Sequence, residues 1–321
     1  MPRNSPTKRC RDDVRHTVSR CCEHSPDARL HVIAERPILI PHIDDLGCAK
    51  STNDAMVELA RIGSVTSGSV IVPAMWFADI TASAETQDMD LGVHLTLTSE
   101  SHAARWRPIS TVDRSSGLFD PSGFMWATVS AVREAADPAA VEAEMRAQVQ
   151  TAIDCGIDVT HLDHHMGAAL APEFVEHTVD IAIDFDLPVL FPRDIEGLLA
   201  VSEVGPVDVS VVRAALTRAS KNHVAFGDTF LMPLEHRDRS DHDAVLKRYL
   251  SDIEGGVVYL ALHASAPGDI QDVHPNDAAW RLGEYAVMRD QAFVDWLFGL
   301  DIDVVGVKWL RERLRNSMSH D

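Results

Sequence analysis

Leu39-Ile40-Pro41-His42-Ile43-Asp44-Asp45-Leu46-Gly47 is an apolar run that ends in two adjacent carboxylates and a glycine. A short apolar run bounded by a turn signal reads as a buried strand, with Asp-Asp-Leu-Gly as the loop leaving its C-terminal end. In α/β proteins, ligands and catalytic groups collect at that end of the strands. Neighbouring carboxylates repel each other unless a positive charge sits between them, which points to a metal. Read alone, the pair also suits a helix N-cap, because Asp commonly precedes a helix start.

Outward from this stretch the chain alternates between the two kinds of element. The pattern predicts a strand over 38–45, a helix over 53–62 capped by Ser51 or Thr52 and closed by Gly63, a strand over 65–72, a short helix within 73–85 and a strand over 90–97. Residues 99–135 are polar, without period, and too long for an idle connection; they read as a substrate-side insertion. A helix over 138–152 with Asp137 as cap, a strand over 159–165, a helix over 172–184 and a strand over 187–191 follow. Further on come helix 205–222, a weaker strand 223–231, helix 243–253, strand 257–263, one long helix over 277–299, strand 304–307 and a last helix 308–315. Strands alternating with helices imply parallel strands and crossover connections. The expected fold is α/β, an irregular (β/α) TIM-like barrel of seven or eight parallel strands, with a doubly wound sheet as second choice. No Gly-x-Gly-x-x-Gly follows a strand, which weakens a dinucleotide-binding reading.

The 321 residues are 45% hydrophobic and 24% charged, enough for a large core. With 29 basic and 49 acidic residues the net charge is −20, which argues against nucleic acid and anionic membrane as partners. No apolar stretch reaches the ~18 residues of a membrane span, and the N-terminus lacks the apolar segment of a secretory signal. Five scattered cysteines (Cys10, Cys21, Cys22, Cys48, Cys155) suggest reduced thiols and a cytoplasmic protein. Residues 1–35 carry seven Arg/Lys against five acids and little periodicity; they read as a disordered or loosely attached basic extension before a single domain over 36–321. A homodimer is compatible with the sequence.

Four predicted strands end in polar groups: Asp44-Asp45, His94, Thr160-His161-Leu162-Asp163-His164-His165, and His263. In a barrel these ends converge on one face. A lone strand-end histidine is more often a satisfied core group, but several ionisable groups in register are costly to bury without partners. One carboxylate and two imidazoles form a ligand set for a divalent metal with open positions, able to activate water. Asp45, His94 and His165 would hold the metal and Asp44, beside them, would serve as general base. Non-haem iron oxygenases use a similar set, but usually on β-sandwich folds that this alternation does not support.

Asp-Asp-Leu-Gly (44–47), Val-Thr-Ser-Gly-Ser-Val (65–70), Leu-Gly-Val-His-Leu-Thr-Leu-Thr (91–98) and Thr-His-Leu-Asp-x-His-Met-Gly (160–167), in this order and spacing, resemble the YdjC-like carbohydrate deacetylase family, as a divergent branch. The resemblance runs from about 38 to 315 and is strongest over 38–195. It implies an irregular (β/α) barrel, one divalent cation (Mg or Zn first) held by Asp45, His94 and His165, Asp44 as catalytic base and His263 as acid or orienter. It also implies a substrate role for Arg193, which follows the Leu-Pro-Val strand. Two features depart from the family pattern: His164 stands where Ser is usual, and Ala264-Ser265 follow the late strand where His-Pro is expected. His164 is expected to point to the other side of its strand. His161 and Asp163 are candidates for groups that orient a ligand imidazole.

The expected reaction is hydrolysis of an N-acetyl group on an amino sugar or short oligosaccharide, with a small carbohydrate as substrate. Trp106, with Trp76, Trp126 and Trp280, is a candidate for stacking on sugar rings, and Arg107 for contacts to hydroxyl or acidic groups. Two alternatives stay open: a metal hydrolase of another amide, ester or phosphoester on the same barrel, and a catalytically inactive sugar-binding protein.

Overall fold

A computed structural model of the chain describes residues 36–82, 88–234 and 240–318. The predicted extension over 1–35 lies outside them. The elements in order are β1 (Ile38–Leu46), α1 (Lys50–Ile62), β2 (Ser67–Val70), α2 (Phe77–Ala82), β3 (Leu91–Leu95), α3 (Val129–Ala135), α4 (Pro138–Asp154), β4 (Val159–His164), α5 (Val175–Asp184) and β5 (Val189–Leu190). They continue with α6 (Ile195–Val201), α7 (Val209–Lys221), β6 (Ala225–Phe226), β7 (Thr229–Leu231), α8 (His242–Ser251), β8 (Val257–Leu262), α9 (Ile270–Val273), α10 (Ala278–Arg289), α11 (Gln291–Phe298), β9 (Asp303–Val304) and α12 (Val307–Met318).

The strands form one parallel sheet in the order β6-β5-β4-β3-β2-β1-β8-β7, with β9 against the start of β1. The two ends of this order are consecutive pieces of one stretch, 225–231, the predicted weak strand. Hydrogen bonds do not close the ladder between β6 and β7; the backbone carries the ring across Gly227 and Asp228. There the Gly227 carbonyl accepts from Arg193 N on one side and Asp228 N donates to Val257 O on the other. The result is the expected irregular (β/α) barrel, with nine paired segments because one strand is split and a short one is added.

Period-two alternation sorts the side chains of β1. Leu39 and Ile43 face outward into the large apolar layer beneath the helices. Ile38 and Ile40 point inward and pack with Phe226, Val257, Tyr259 and Ala261 against Val307, Leu310 and Leu314 of α12. The interior is therefore apolar at the N-terminal end of the strands, where α12 closes it. Above this plug the inward positions become His42 and Asp44, both buried.

Some predicted boundaries move for identifiable reasons. Ser51 and Thr52 lie inside α1 and do not cap it. The carboxylate of distant Asp269 accepts from Lys50 N and Ser51 N, both at 2.9 Å, and so satisfies the open amides of the first turn. The long helix expected over 277–299 is two helices, because Asp290 is extended (φ −70°, ψ 120°) and its side chain caps α11 by accepting from Phe293 N. α6 was not expected. The 99–135 region holds only α3 and a short turn, and α4 anchors it from below: Gln148 brackets Thr96, and the Glu144 carboxylate accepts from Ile109 N and Ser110 N. Asp137 caps α4 as expected, its side chain accepting from Ala139 N. Asp137→Ala should lower unfolding free energy by about 1 kcal/mol, read as a shift in denaturant midpoint with unchanged slope.

Candidate active site

The site begins with an irregularity in β1. His42 and Ile43 pair with Ser67 and Gly68, but the next pairing is Leu46 with Val70, so β1 carries one extra residue at Asp44-Asp45. On a regular strand adjacent side chains point to opposite faces. The bulge, with Asp45 at φ +64°, turns both carboxylates into one cavity. Asp tolerates this left-handed backbone better than most residues. The end of β4 turns sharply as well, with Met166 at φ 53° and Gly167 at φ 75° directly after His165.

Asp45 is the hub. Its Oδ1 lies 3.1 Å from His165 Nδ1 and 3.4 Å from His94 Nε2; its Oδ2 accepts from Arg281 Nη2 at 2.8 Å, with His263 Nε2 at 4.0 Å. Burial alone would raise its pKa, but the Arg281 charge and the bonds from His165 and His94 hold it well below the usual carboxylate range. Asp44 behaves oppositely. Burial, reinforced by the Asp163 and Asp45 charges, pushes it well above that range despite His94. The two adjacent carboxyls are thus driven apart in protonation, the pattern expected of a pair with different tasks.

Each imidazole beside Asp45 is fixed from behind. His94 Nδ1 is 2.7 Å from Asp163 Oδ1, and Asp163 Oδ2 in turn accepts from Ser69 Oγ and Tyr259 Oη, both at 2.8 Å. His165 Nε2 is 3.0 Å from Glu100 Oε2. Burial opposes charge on His165, yet Glu100 and Asp45 raise it to about 9; Glu100, which burial would push up, is pulled down to about 2 by His165.

Asp45, His94 and His165 offer donor atoms within 4.8 Å of one another, all buried. This set fits a divalent metal. The converging atoms are a carboxylate oxygen and two imidazole nitrogens, and the outer nitrogen of each ring is held by a carboxylate, the usual support of a metal-binding histidine. Asp44, Asp45, Glu100 and Asp163 surround the place with Arg281 as its one guanidinium among the described residues. Without a metal the neighbouring carboxylates raise both His94 and His165, so the two imidazoles carry the opposing charge that a divalent ion would otherwise supply.

The cavity, about 740 Å³ with its open mouth, is lined by Asp44, Asp45, His94, Glu100, His165, Arg281, His164, His263, Trp280 and an apolar wall that includes Leu198, Val201, Phe230 and Met232. His263 stacks on Trp280 at 4.8 Å between ring centroids, and its backbone N–H donates to Glu284 at 2.6 Å. Burial raises Glu284 to about 8. His164 donates from Nε2 to Leu190 O at 2.9 Å and lies against Phe191; it borders the cavity wall without touching Asp45. His161 touches none of the three candidate ligands and meets His42 at 3.0 Å.

Two predicted substrate residues stand elsewhere. Arg193 pairs with Asp228 at 2.9 Å and lines a separate cleft with Phe191, Phe226 and Leu310, because the turn after β5 carries it away from the cavity. Trp106 is buried behind His165, ring centroids 6.1 Å apart, with its indole N–H donating to Thr98 O at 2.8 Å, so it presents no open face to the cavity. Arg281, Glu284 and Glu100 were missed. For the first two a signal existed: they fall on the buried stripe of α10 with Ala278, Tyr285 and Met288, where charged residues need a reason.

A YdjC-like protein family model matches residues 38–298, and the chain belongs to that family. A carbohydrate deacetylase of Thermus thermophilus is 33% identical over 232 residues, covering 72% of this chain and 79% of the relative. One from Brevibacillus brevis is 30% identical over 155 residues, 48% of this chain and 59% of the relative. The crystal structure of an Enterococcus faecalis protein with a proposed role in cellobiose-phosphate cleavage matches with TM-score 0.69 at 20% identity, over 86% of this chain and 99% of the other, a likeness of fold.

Removing the guanidinium takes the permanently charged donor from buried Asp45 and leaves its Oδ2 without a partner within hydrogen-bond reach. Arg281→Met should destabilise the metal-free protein by about 3–5 kcal/mol, and saturating divalent metal should recover most of the loss; melting curves with and without chelator check both.

Proposed function

We propose that the chain is a metal-dependent deacetylase that removes an N-acetyl group from an amino sugar or short oligosaccharide. The observation that carries the reading is the convergence of Asp45, His94 and His165 with Asp44 in the same cavity, turned inward by one bulge. A divalent ion held by those three residues, Mg or Zn first, would act as Lewis acid and ready a water for attack. Asp44, outside the ligand set, takes the proton of the attacking water. Its Oδ1 is held by His42 Nδ1 at 2.8 Å, which fixes the carboxyl plane. His263, braced by Trp280 and by the Glu284 contact at its backbone, gives a proton to the leaving amine. His94 and His165 keep their orientation through Asp163 and Glu100.

The substrate assignment rests on the named relatives and on the wall chemistry. Trp280, Phe230 and Met232 supply apolar surface for a sugar face. Arg281 is the one basic Lys or Arg side chain on the cavity wall among the described residues, and it is committed to Asp45. A phosphoester substrate would call for cations available to bind it, so the amide reading is favoured.

The test is acetate release from N-acetylated mono- and disaccharides, with metal content measured in parallel. Asp44→Asn should lose turnover by roughly 10²–10⁴-fold while retaining metal. Unchanged acetate release in that variant removes Asp44 from the mechanism, and no release from metal-loaded wild type sinks the deacetylase reading.

A further inference from the structure

Beneath Asp44 a line of side-chain hydrogen bonds runs down the barrel interior. Asp44 Oδ1 is 2.8 Å from His42 Nδ1, and His42 Nε2 is 3.0 Å from His161 Nε2. His161 Nδ1 is 2.9 Å from Thr160 Oγ1, whose hydroxyl donates to Asp90 Oδ1 at 2.5 Å. His42, His161 and Thr160 are fully buried. Asp90 immediately precedes β3, so it lies at the N-terminal end of the barrel, about 13 Å along that strand from His94. Its Oδ2 accepts from Lys308 N at 2.6 Å, and it borders an open cleft with Thr66, Gly306 and Trp309. Gly92 makes room for the line: a Cβ there would stand 2.5 Å from His161 Nε2.

Hydrogen-bond counting gives the line a direction. A neutral imidazole donates from one nitrogen and accepts at the other, and a hydroxyl has one proton to give. Burial pushes His42 and His161 each down to about 4, so both rings are neutral near pH 7. While Thr160 donates to Asp90, His161 Nδ1 must donate to Thr160, and His161 Nε2 must accept from His42. His42 Nδ1 is then a bare lone pair, and its contact with Asp44 needs the proton on Asp44. In the opposite arrangement every bond reverses: Asp44 is ionised and the proton sits on Asp90. The two arrangements interconvert by one concerted shift. The proton leaves Asp44 Oδ1 for His42 Nδ1, His42 Nε2–H passes to His161 Nε2, His161 Nδ1–H passes to Thr160, and the Thr160 hydroxyl proton passes to Asp90. Each group that gains a proton loses another, except the two ends.

Outside the line, His42 also faces the Gly68 backbone carbonyl and the charge of Asp163. Asp163 Oδ2 is 3.9 Å from His42 Nε2, beyond hydrogen-bond reach, and is occupied by Ser69 and Tyr259. The Tyr259 ring lies against His42 with centroids 4.7 Å apart, and Phe226 meets His161 in a T-shaped contact at 6.0 Å.

We propose that Asp44–His42–His161–Thr160–Asp90 is a proton relay through the closed end of the barrel, which returns the base to its ionised form while product still fills the mouth. It rests on the reading of Asp44 as base, and its test has one readout that does not. In ¹⁵N-labelled full-length protein, ring-nitrogen shifts distinguish protonated from bare positions. Thr160→Val, which keeps volume and removes the hydroxyl, should change the His42 ring-nitrogen pattern although no side chain touching His42 is altered. Thr160→Ser should restore it, and Asp90→Asn, which retains an acceptor for Lys308 N, should reproduce the change. In the same series kcat should fall several-fold in Thr160→Val and Asp90→Asn at unchanged KM and metal content. His42 shifts indifferent to both substitutions overturn the relay, as does wild-type kcat in both variants. A second divalent ion per chain that is lost in His42→Asn also overturns it, because a cation between the two imidazoles would replace the shared proton. If wild type releases no acetate, the deacetylase reading fails and the ring-nitrogen coupling alone decides the relay.

Discussion

A buried ionised carboxylate must be surrounded by donors, and this barrel is organised around two of them, Asp45 and Asp163. Water would solvate either far better than protein unless several N–H and O–H groups face it at once. Asp163, on β4, meets that demand with Ser69, Tyr259 and His94, drawn from β2, β8 and β3, so one side chain ties the interior faces of four strands across the barrel. Asp45 meets it with His94, His165 and Arg281, drawn from β3, the end of β4 and α10. His94 stands between the two carboxylates and joins them.

Much of this was legible in the sequence because its causes are local. The alternation of β-branched runs with capped helices gives the parallel barrel, and the polar strand ends at Asp44-Asp45, His94, His165 and His263 mark the face where function collects. The bulge was not legible. A strand with two consecutive aspartates looks regular, and only the pairing with β2 shows that an extra residue turns both inward. Asp269 capping α1 from more than two hundred residues away was equally hidden, since capping rules look at neighbours in sequence. Arg193 was assigned from the family resemblance and Trp106 from residue type, and neither says which way the local backbone carries a side chain. Arg281 and Glu284 were concealed by the opposite assumption, that charges on a helix face solvent.

The interior is layered, and each layer has its own chemistry. At the N-terminal end Ile38, Ile40, Val257 and the α12 leucines exclude water. In the middle His42, His161, Thr160 and Asp163 form a polar tier that is fully paired within the protein. At the mouth the donors converge on a space large enough for a ligand. The middle tier does more than fill volume: it sets the orientation of Asp44 from below and that of His94 from beside, while the dry plug underneath strengthens every bond in it.

The split strand at 225–231 has a consequence for how such a barrel can diversify. The residues that converge on Asp45 come from β3, the turn after β4 and α10, whereas Phe230 and Met232 on the cavity wall continue from the seam where the ring is held by the chain itself. Leu198 and Val201 of α6, which packs beside β7, belong to the same wall. Phe230 also stacks on Tyr259, whose hydroxyl donates to Asp163, so the seam is tied to the reactive centre at that residue. Changes in the width of the mouth that spare the centre are therefore confined to the chain beyond that contact, from Met232 onward.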